Sequence, residues 1–390
     1  MIAVALADSD SYLKWGAATL DRIAPEADRR VAVVANPVMP SAAQRAAAVA
    51  GTSWATQADA VLVAMRGPTA ALLLSMLAEL PQRPVLWSGI PGIALPARRK
   101  ALVYRAQADL VIVHSHQERR AFTELDRDEG LAHRFALTTL PFLERRPSTG
   151  DDVVLAAQAL VPATRPEREV LVHRFVEAAR RRPDRWFVLK VRAQRGERQT
   201  HDERWPLDEI LATVRDAPAN VHVQSGPMSA ALDRAGAVAS VSSTAIIEAV
   251  ARGIPAIVLD DFGVGDEQLN GIFIGSGLLG SGDDLIEGRF RVADAEWSTQ
   301  NYLHEGADDD ARAALDDLVQ RRARDGLPQR PPARSRTGGV LREAWNRRTA
   351  LGRHDARALG VVALAIGVPA RAIVRGARRA RRLVARPTGG

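Results

Sequence analysis

The residues with most chemical content stand together between Ala237 and Asp261, where the sequence runs AVASVSSTAIIEAVARGIPAIVLDD. A β-rich run, Ala237–Val241, gives way to three hydroxyl residues, Ser242, Ser243 and Thr244, and then to a helical pattern. Serine and threonine are favoured at helix N-termini, where free backbone N–H groups and the helix dipole attract an anion. Glu248 follows Thr244 by four residues and shares its helix face. Gly253 closes the helix, Pro255 forbids its continuation, and Ala256–Leu259 reads as a second strand carrying Asp260 and Asp261 at its end. This order of elements predicts a nucleotide or phosphate site at the rim of a parallel sheet. A plain helix cap with Glu248 paired to Arg252 at i,i+4 would use the same residues. A capping box, however, needs Glu or Gln three residues after the cap, and Ala245, Ile246 and Ile247 occupy those places.

Other strand tips offer further groups. Asp8-Ser9-Asp10-Ser11 follows the apolar run Ile2–Ala7 and leads into Lys14. A carboxylate there could take the proton of an attacking hydroxyl, which makes Asp10, and after it Asp8, the candidate general bases. Ser11 and Lys14 are placed on the acceptor side, Lys14 to meet an acidic acceptor or a donor phosphate; alternatively Lys14 is simply solvated and Asp8, Ser9 or Asp10 only caps the first helix. At the tip Val188-Leu189-Lys190-Val191-Arg192, which ends the run Trp186–Val191, Lys190 and Arg192 share one face and could neutralise a diphosphate. Only three lysines occur in the chain, Lys14, Lys100 and Lys190, in an otherwise arginine-rich sequence, so positions that keep an ammonium stand out. Ser225-Gly226-Pro227 precedes another helix start beside the hydroxyl turn. His114 and His116 form an H-x-H pair without neighbouring ligands; no metal is expected, and His114 is left as a group that could touch an acceptor.

The elements that must carry these groups alternate as in doubly wound sheets. Strands are predicted near Ile2–Ala7, Val31–Ala35, Ala60–Met65, Pro84–Trp87, Leu110–His114 and Phe135–Thr139, with helices over Tyr12–Ile23, Ser41–Val49, Thr69–Leu80, Ala97–Gln107 and Gln117–Leu125. After the polar stretch Glu144–Asp152 a second series begins: strands at Val153–Ala156, Trp186–Val191 and Val221–Gln224, helices at Glu167–Arg181, Leu207–Val214 and Met228–Ala235, then the hydroxyl motif. The expected organisation is two Rossmann-like α/β domains facing a cleft, 1–145 on the acceptor side and 146–327 on the nucleotide-donor side, followed by a basic apolar tail, 328–390.

The motif S-S-T-x-x-x-E-A-x-x-x-G-x-P resembles the carboxyl-terminal half of GT-B-fold glycosyltransferases, notably bacterial capsule polysaccharide (Kdo or sialic acid) transferases and CDP-glycerol glycerophosphotransferases. The resemblance implies that Ser242, Ser243, Thr244 and the helix N-terminus hold a donor phosphate and that Glu248 contacts the donor's sugar or ribose. Lys190-Val191-Arg192-Ala193 stands where those families show a His-Pro pair. The expectation is a transferase using a nucleotide-activated sugar as co-substrate, without a further cofactor, and a cell-envelope glycan or lipid-linked acceptor. A GT-B-like sugar-nucleotide epimerase and a non-catalytic two-domain binding protein share this pattern.

Composition narrows the classes. The chain has no cysteine, hence no disulfide framework or thiolate site, and no G-x-G-x-x-G, G-x-x-x-x-G-K-[ST] or G-x-S-x-G pattern, which disfavours dinucleotide oxidoreductases, P-loop kinases and α/β-hydrolases. The start, MIAVALADSD, lacks a basic n-region and reads as a strand, consistent with a cytoplasmic chain. Charge is uneven: residues 331–390 contain 14 Arg against Glu343 and Asp355, a local +12 within a total of +7, so the body is at −5. The uncharged run Ala358–Ala370 is too short to span a bilayer and adjoins the arginines, which predicts attachment to an anionic membrane surface at the inner face of the plasma membrane, with a disordered basic extension as the alternative. Nothing in the tail suggests nucleic-acid binding.

Overall fold

The computed structural model describes residues 1–34, 49–50, 57–191, 203–329, 339–352, 355, 357–369 and 371. Seven parallel strands, β1 (Ile2–Ala7), β2 (Asp28–Val33), β3 (Val49–Ala50), β4 (Ala60–Ala64), β5 (Val85–Gly89), β6 (Leu110–Val113) and β7 (Phe135–Leu137), form one sheet in the order β3-β2-β1-β4-β5-β6-β7. Six more, β8 (Asp152–Ala156), β9 (Phe187–Lys190), β10 (Val221–Gln224), β11 (Ala235–Ser240), β12 (Ala256–Leu259) and β13 (Leu279–Gly280), form a second parallel sheet in the order β10-β9-β8-β11-β12-β13. Both are doubly wound as the apolar runs predict. Strands such as Ala60–Ala64 and Asp152–Ala156 are buried along their whole length, because helices cover both faces of a parallel sheet. In such sheets ligands bind where the winding reverses. Those switch points fall between β1 and β4 and between β8 and β11.

Several elements differ from the sequence reading. Strand β2 starts at Asp28, because pairing with β1 begins at Ile2 with Asp28 and the charged side chains near this sheet edge stay solvated. The helix expected over Ala97–Gln107 is confined to Arg99–Val103. Arg105 is turned inward and donates to Ser88 Oγ and to the carbonyls of Met65 and Gly89, which draws the chain out of the helix. The helix expected over Ser41–Val49 lies outside the described residues apart from Val49, which begins β3.

After β13 the chain returns to the first sheet. The Ala311–Asp325 helix places Ala311, Ala314, Leu315 and Leu318 in the core formed by Ala3, Trp15, Leu62 and Trp87. Asp309 and Asp310 fasten the crossing by accepting from the backbone N–H groups of Thr139 and Leu137, both at 2.7 Å. Further on, the Gly339–Leu351 helix packs on the Gly67–Ala78 helix. Residues 358–369 are helical and fold back on it, with the Trp345 ring filling the place that a Cβ of Gly367 would take.

Candidate functional site

The hydroxyl motif forms at the switch point of the second sheet. Residues Thr244–Ala251 are helical with Ser243 at the N-cap, and Ala245, Ile246, Ile247 and Ala249 bury one face in the core. The three hydroxyls have different fates. Ser242 Oγ donates to the Leu269 carbonyl, and its N–H is held at 2.8 Å by Gln158 Oε1. Ser243 Oγ accepts from Ala245 N–H at 3.2 Å, while Ser243 N–H goes to Ser240 Oγ. Among the described residues no partner is bonded to the N–H or Oγ of Thr244, so the anion-binding capacity of this helix N-terminus is concentrated in that residue.

A cleft of about 560 Å³ opens over this turn and is lined from both domains. The second domain contributes Gln158, Lys190, Ser242, Ser243, Thr244 and Glu248; the first contributes Lys14 and the loop from Pro91 to Leu95. Gly92 explains how closely the domains approach: it has φ +76°, and a Cβ there would sit 3.1 Å from Thr244 Cγ2. Lys190 is almost fully buried and donates to the carbonyls of Val191 (2.8 Å) and Gly226 (2.7 Å). Burial lowers its pKa, the nearby Lys14 lowers it further, and Glu248 opposes both. Two of the chain's three lysines thus share one cleft.

Glu248 is the carboxylate among the described lining residues. Burial raises its pKa to about 7, against the opposing pull of Arg252 and Lys190. The i,i+4 pair with Arg252 does not form. That guanidinium donates instead to Glu144 (2.6 Å) and Asp233 (2.7 Å), and among the described residues the Glu248 carboxylate has no hydrogen bond. A carboxyl poised near neutrality beside the Lys190 ammonium can accept from a ligand hydroxyl when ionised and donate when protonated.

The first-domain candidates are distributed differently. Asp8 is fully buried and accepts from the backbone N–H (3.2 Å) and Nε (3.0 Å) of Arg66, tying the tips of β1 and β4 together. It is spent on structure and does not line the cleft. Asp10 opens the Asp10–Ile23 helix, one turn before Lys14 on the same face, and Ser11 is exposed; neither is among the lining residues. His114 is not brought to the cleft at all. Its Nε2 accepts from Trp15 Nε1 at 2.8 Å, its Nδ1 faces the Thr138 carbonyl at 2.8 Å, and burial lowers its pKa to about 4, so it is a neutral core imidazole. His116 turns the other way, to Asp308 at 3.1 Å. Ser225 also stays off the lining. Gly226 contributes a carbonyl to Lys190 rather than a donor to an anion, since the helix it precedes, Met228–Leu232, has five residues with Pro227 as its cap. Arg192 lies outside the described residues.

Sequence reasoning missed Gln158 and Arg168. Gln158 follows β8 at the same switch point, and its amide oxygen holds Ser242 N–H and lies 3.3 Å from Ser240 Oγ. Its place just beyond a strand end was the available signal. Arg168 is 1% exposed and donates to the carbonyls of Gln158, Ala159, Pro162 and Trp205 and to Glu203 Oε1. It fixes the backbone of the loop that carries Gln158.

Two doubly wound domains, a cleft at the switch point and a returning C-terminal helix define a GT-B-like protein. Residues 3–318 match the family described as "Putative glycosyltransferase (DUF6716)", and the chain belongs to that family. No curated protein matches it. Among solved structures it is similar to the S. aureus MnaA–UDP co-structure, with 12% identity over 85% of this chain and 99% of that chain and a TM-score of 0.48. It is also similar to Phytolacca americana UGT2 complexed with UDP-2fluoro-glucose and pterostilbene, with 11% identity over 83% of this chain and 95% of that one and a TM-score of 0.46.

Proposed function

We propose that the protein transfers a sugar, or a sugar-like group, from a nucleotide donor held by the second domain (146–327, apart from the Ala311–Asp325 helix, which packs on the first sheet) to a cell-envelope glycan or lipid-linked acceptor approached from the first (1–145). The observation that carries this reading is the convergence of Thr244, Lys190, Lys14 and Glu248 on one cleft between the domains. The donor diphosphate lies against Thr244 and the two ammonium groups, which also stabilise charge on the departing nucleotide. Glu248 receives a hydroxyl of the donor's sugar or ribose. Asp10 takes the proton of the acceptor hydroxyl as the new bond forms, from the helix face it shares with Lys14. Membership of a glycosyltransferase family supports transfer over epimerisation or binding alone.

A thermal-shift series with CMP, CDP, UDP and GDP tests the donor site, since a ligand bound only by the folded chain raises its melting temperature. At least one nucleotide should stabilise the wild type. Thr244→Val with Lys190→Met should abolish that shift, and an undiminished shift in the double variant would refute the assignment.

The same reading puts the enzyme on the inner face of the plasma membrane. Among the described residues no helix is long and apolar enough to cross a membrane. The helix at 358–369 nevertheless leaves Leu359, Val361, Val362, Ile366 and Val368 exposed, ends beside Arg371, and is followed in sequence by six more arginines. An apolar helix face next to clustered cations suits the surface of an anionic leaflet.

A further inference from the structure

A second hollow lies across the short Met228–Leu232 helix from the cleft, and the transferase reading makes no use of it. Strand register accounts for its position. Strands β9 and β10 pair His222 with Val188 and Gln224 with Lys190, so His222 and Gln224 share the sheet face on which Val188 joins the core. Trp186, two residues before Val188, enters on that face as well. The helix that should cover it has only five residues and presents the small side chains of Ala230 and Ala231. What remains is a hollow of about 420 Å³ lined also by Asp152, Trp186, His222, Gln224 and Arg234. Met228, from the same helix, lines the cleft on the other side.

The lining has a definite chemical character. Trp186 is 49% exposed, and its ring meets that of His222 edge to face with centroids 5.5 Å apart, which holds the indole in place without covering it. Asp152 is 4% exposed; its Oδ2 is 3.2 Å from Arg234 Nε, whereas its Oδ1 is buried with no hydrogen-bond partner. Gln224 and His222 add groups able both to donate and to accept. The Asp152 carboxylate and Arg234 guanidinium cancel, leaving no net charge to attract a phosphate.

An aromatic platform edged by neutral donors and acceptors matches the two surfaces of a pyranose: C–H groups that lie on an indole and hydroxyls that both donate and accept. We propose that this hollow is a carbohydrate-binding site for a neutral pyranose unit, distinct from the cleft. It does not depend on what the cleft transfers.

The test is saturation-transfer NMR and calorimetry on the full-length protein with maltopentaose, cellopentaose, xylopentaose, mannopentaose and chitopentaose. At least one should bind at millimolar concentration through its ring protons. Trp186→Ala, at a half-exposed position where folding is not at stake, should weaken binding roughly tenfold or more, Trp186→Phe should retain part of it, and Thr244→Val in the cleft should leave it unchanged. Three outcomes overturn the proposal: no oligosaccharide binds, binding survives Trp186→Ala, or the Trp186-dependent ligand proves to be UMP rather than a sugar.

Discussion

Glu248→Gln is expected to stabilise the protein above neutral pH and to leave its stability unchanged in acid. In the unfolded chain this carboxyl ionises near its ordinary value of 4.5, and in the folded chain near 7. Burial is the main cause, and the cation on the same helix, Arg252, is engaged by Glu144 and Asp233. Between those pH values the folded state keeps a proton that the unfolded state has lost. The stability associated with the protonated form is therefore complete below pH 4.5 and is lost as pH rises through 7. The gap corresponds to ~3 kcal/mol, a penalty the wild type carries above pH 7 and a neutral glutamine does not. For a domain of this size that is on the order of 6–12 °C in melting temperature. Melting curves of variant and wild type from pH 4 to pH 8.5 check it, and only their difference matters, because other carboxylates titrate in both proteins. The difference should grow from near zero to several degrees across pH 5–7.5. A difference that is constant with pH would mean that the carboxyl titrates at its ordinary value and is not desolvated in the cleft. The stabilised variant should also transfer more slowly, as expected where a strained carboxylate is retained for function.

Gly92→Ala should destabilise by ~1 kcal/mol from its positive φ and weaken donor binding by crowding Thr244 Cγ2, and Thr244→Ser, which removes that methyl, should restore binding in the double variant; a double variant no better than Gly92→Ala would refute the contact. Asp10→Asn should bind donor normally yet turn over roughly 100- to 10,000-fold more slowly, measured by nucleotide release, with near-normal turnover excluding it as the base. Removal of residues 331–390 should abolish flotation with anionic vesicles, and 1 M salt should weaken flotation of the full chain only in part, because screening leaves the apolar burial intact; equal flotation with and without the tail would exclude attachment through it.

Much of the fold was legible because a covered parallel sheet writes itself as apolar runs separated by helical patterns. Runs such as AVLVA at 60–64 and AIVL at 256–259 allow few other readings. The hydroxyl motif was legible for a similar reason, since strand, Ser-Ser-Thr, helix and Gly-x-Pro punctuate one another. What stayed hidden depends on contacts distant in sequence. The Ala311–Asp325 helix shows an apolar stripe that could cover either sheet, and only the tertiary structure decides for the first. His114 and Asp8 stand at strand tips like true site residues, but Trp15, Thr138 and Arg66 consume their polar atoms. Gln158 went unnoticed because a single amide beyond a strand carries no motif.

The loops that wall the cleft are irregular backbone, which a protein can hold in one conformation only by satisfying its N–H and C=O groups. In each domain a buried ionisable side chain does part of this. In the second, the Arg168 guanidinium gathers four carbonyls under the loop bearing Gln158. In the first, Glu118 accepts from the N–H groups of Ala94 and His114, at 2.9 and 2.8 Å, beneath the loop bearing Gly92. A third donor reaches Glu118 from the other domain, the Tyr302 hydroxyl at 2.6 Å, whose ring belongs to the core of the second sheet. Burial raises the pKa of Glu118 while these three hydrogen bonds favour its ionised form. The loop facing Thr244 is thereby bonded to the same carboxylate that ties its domain to the opposite one, so the width of the cleft is set by directional polar contacts as well as by apolar packing.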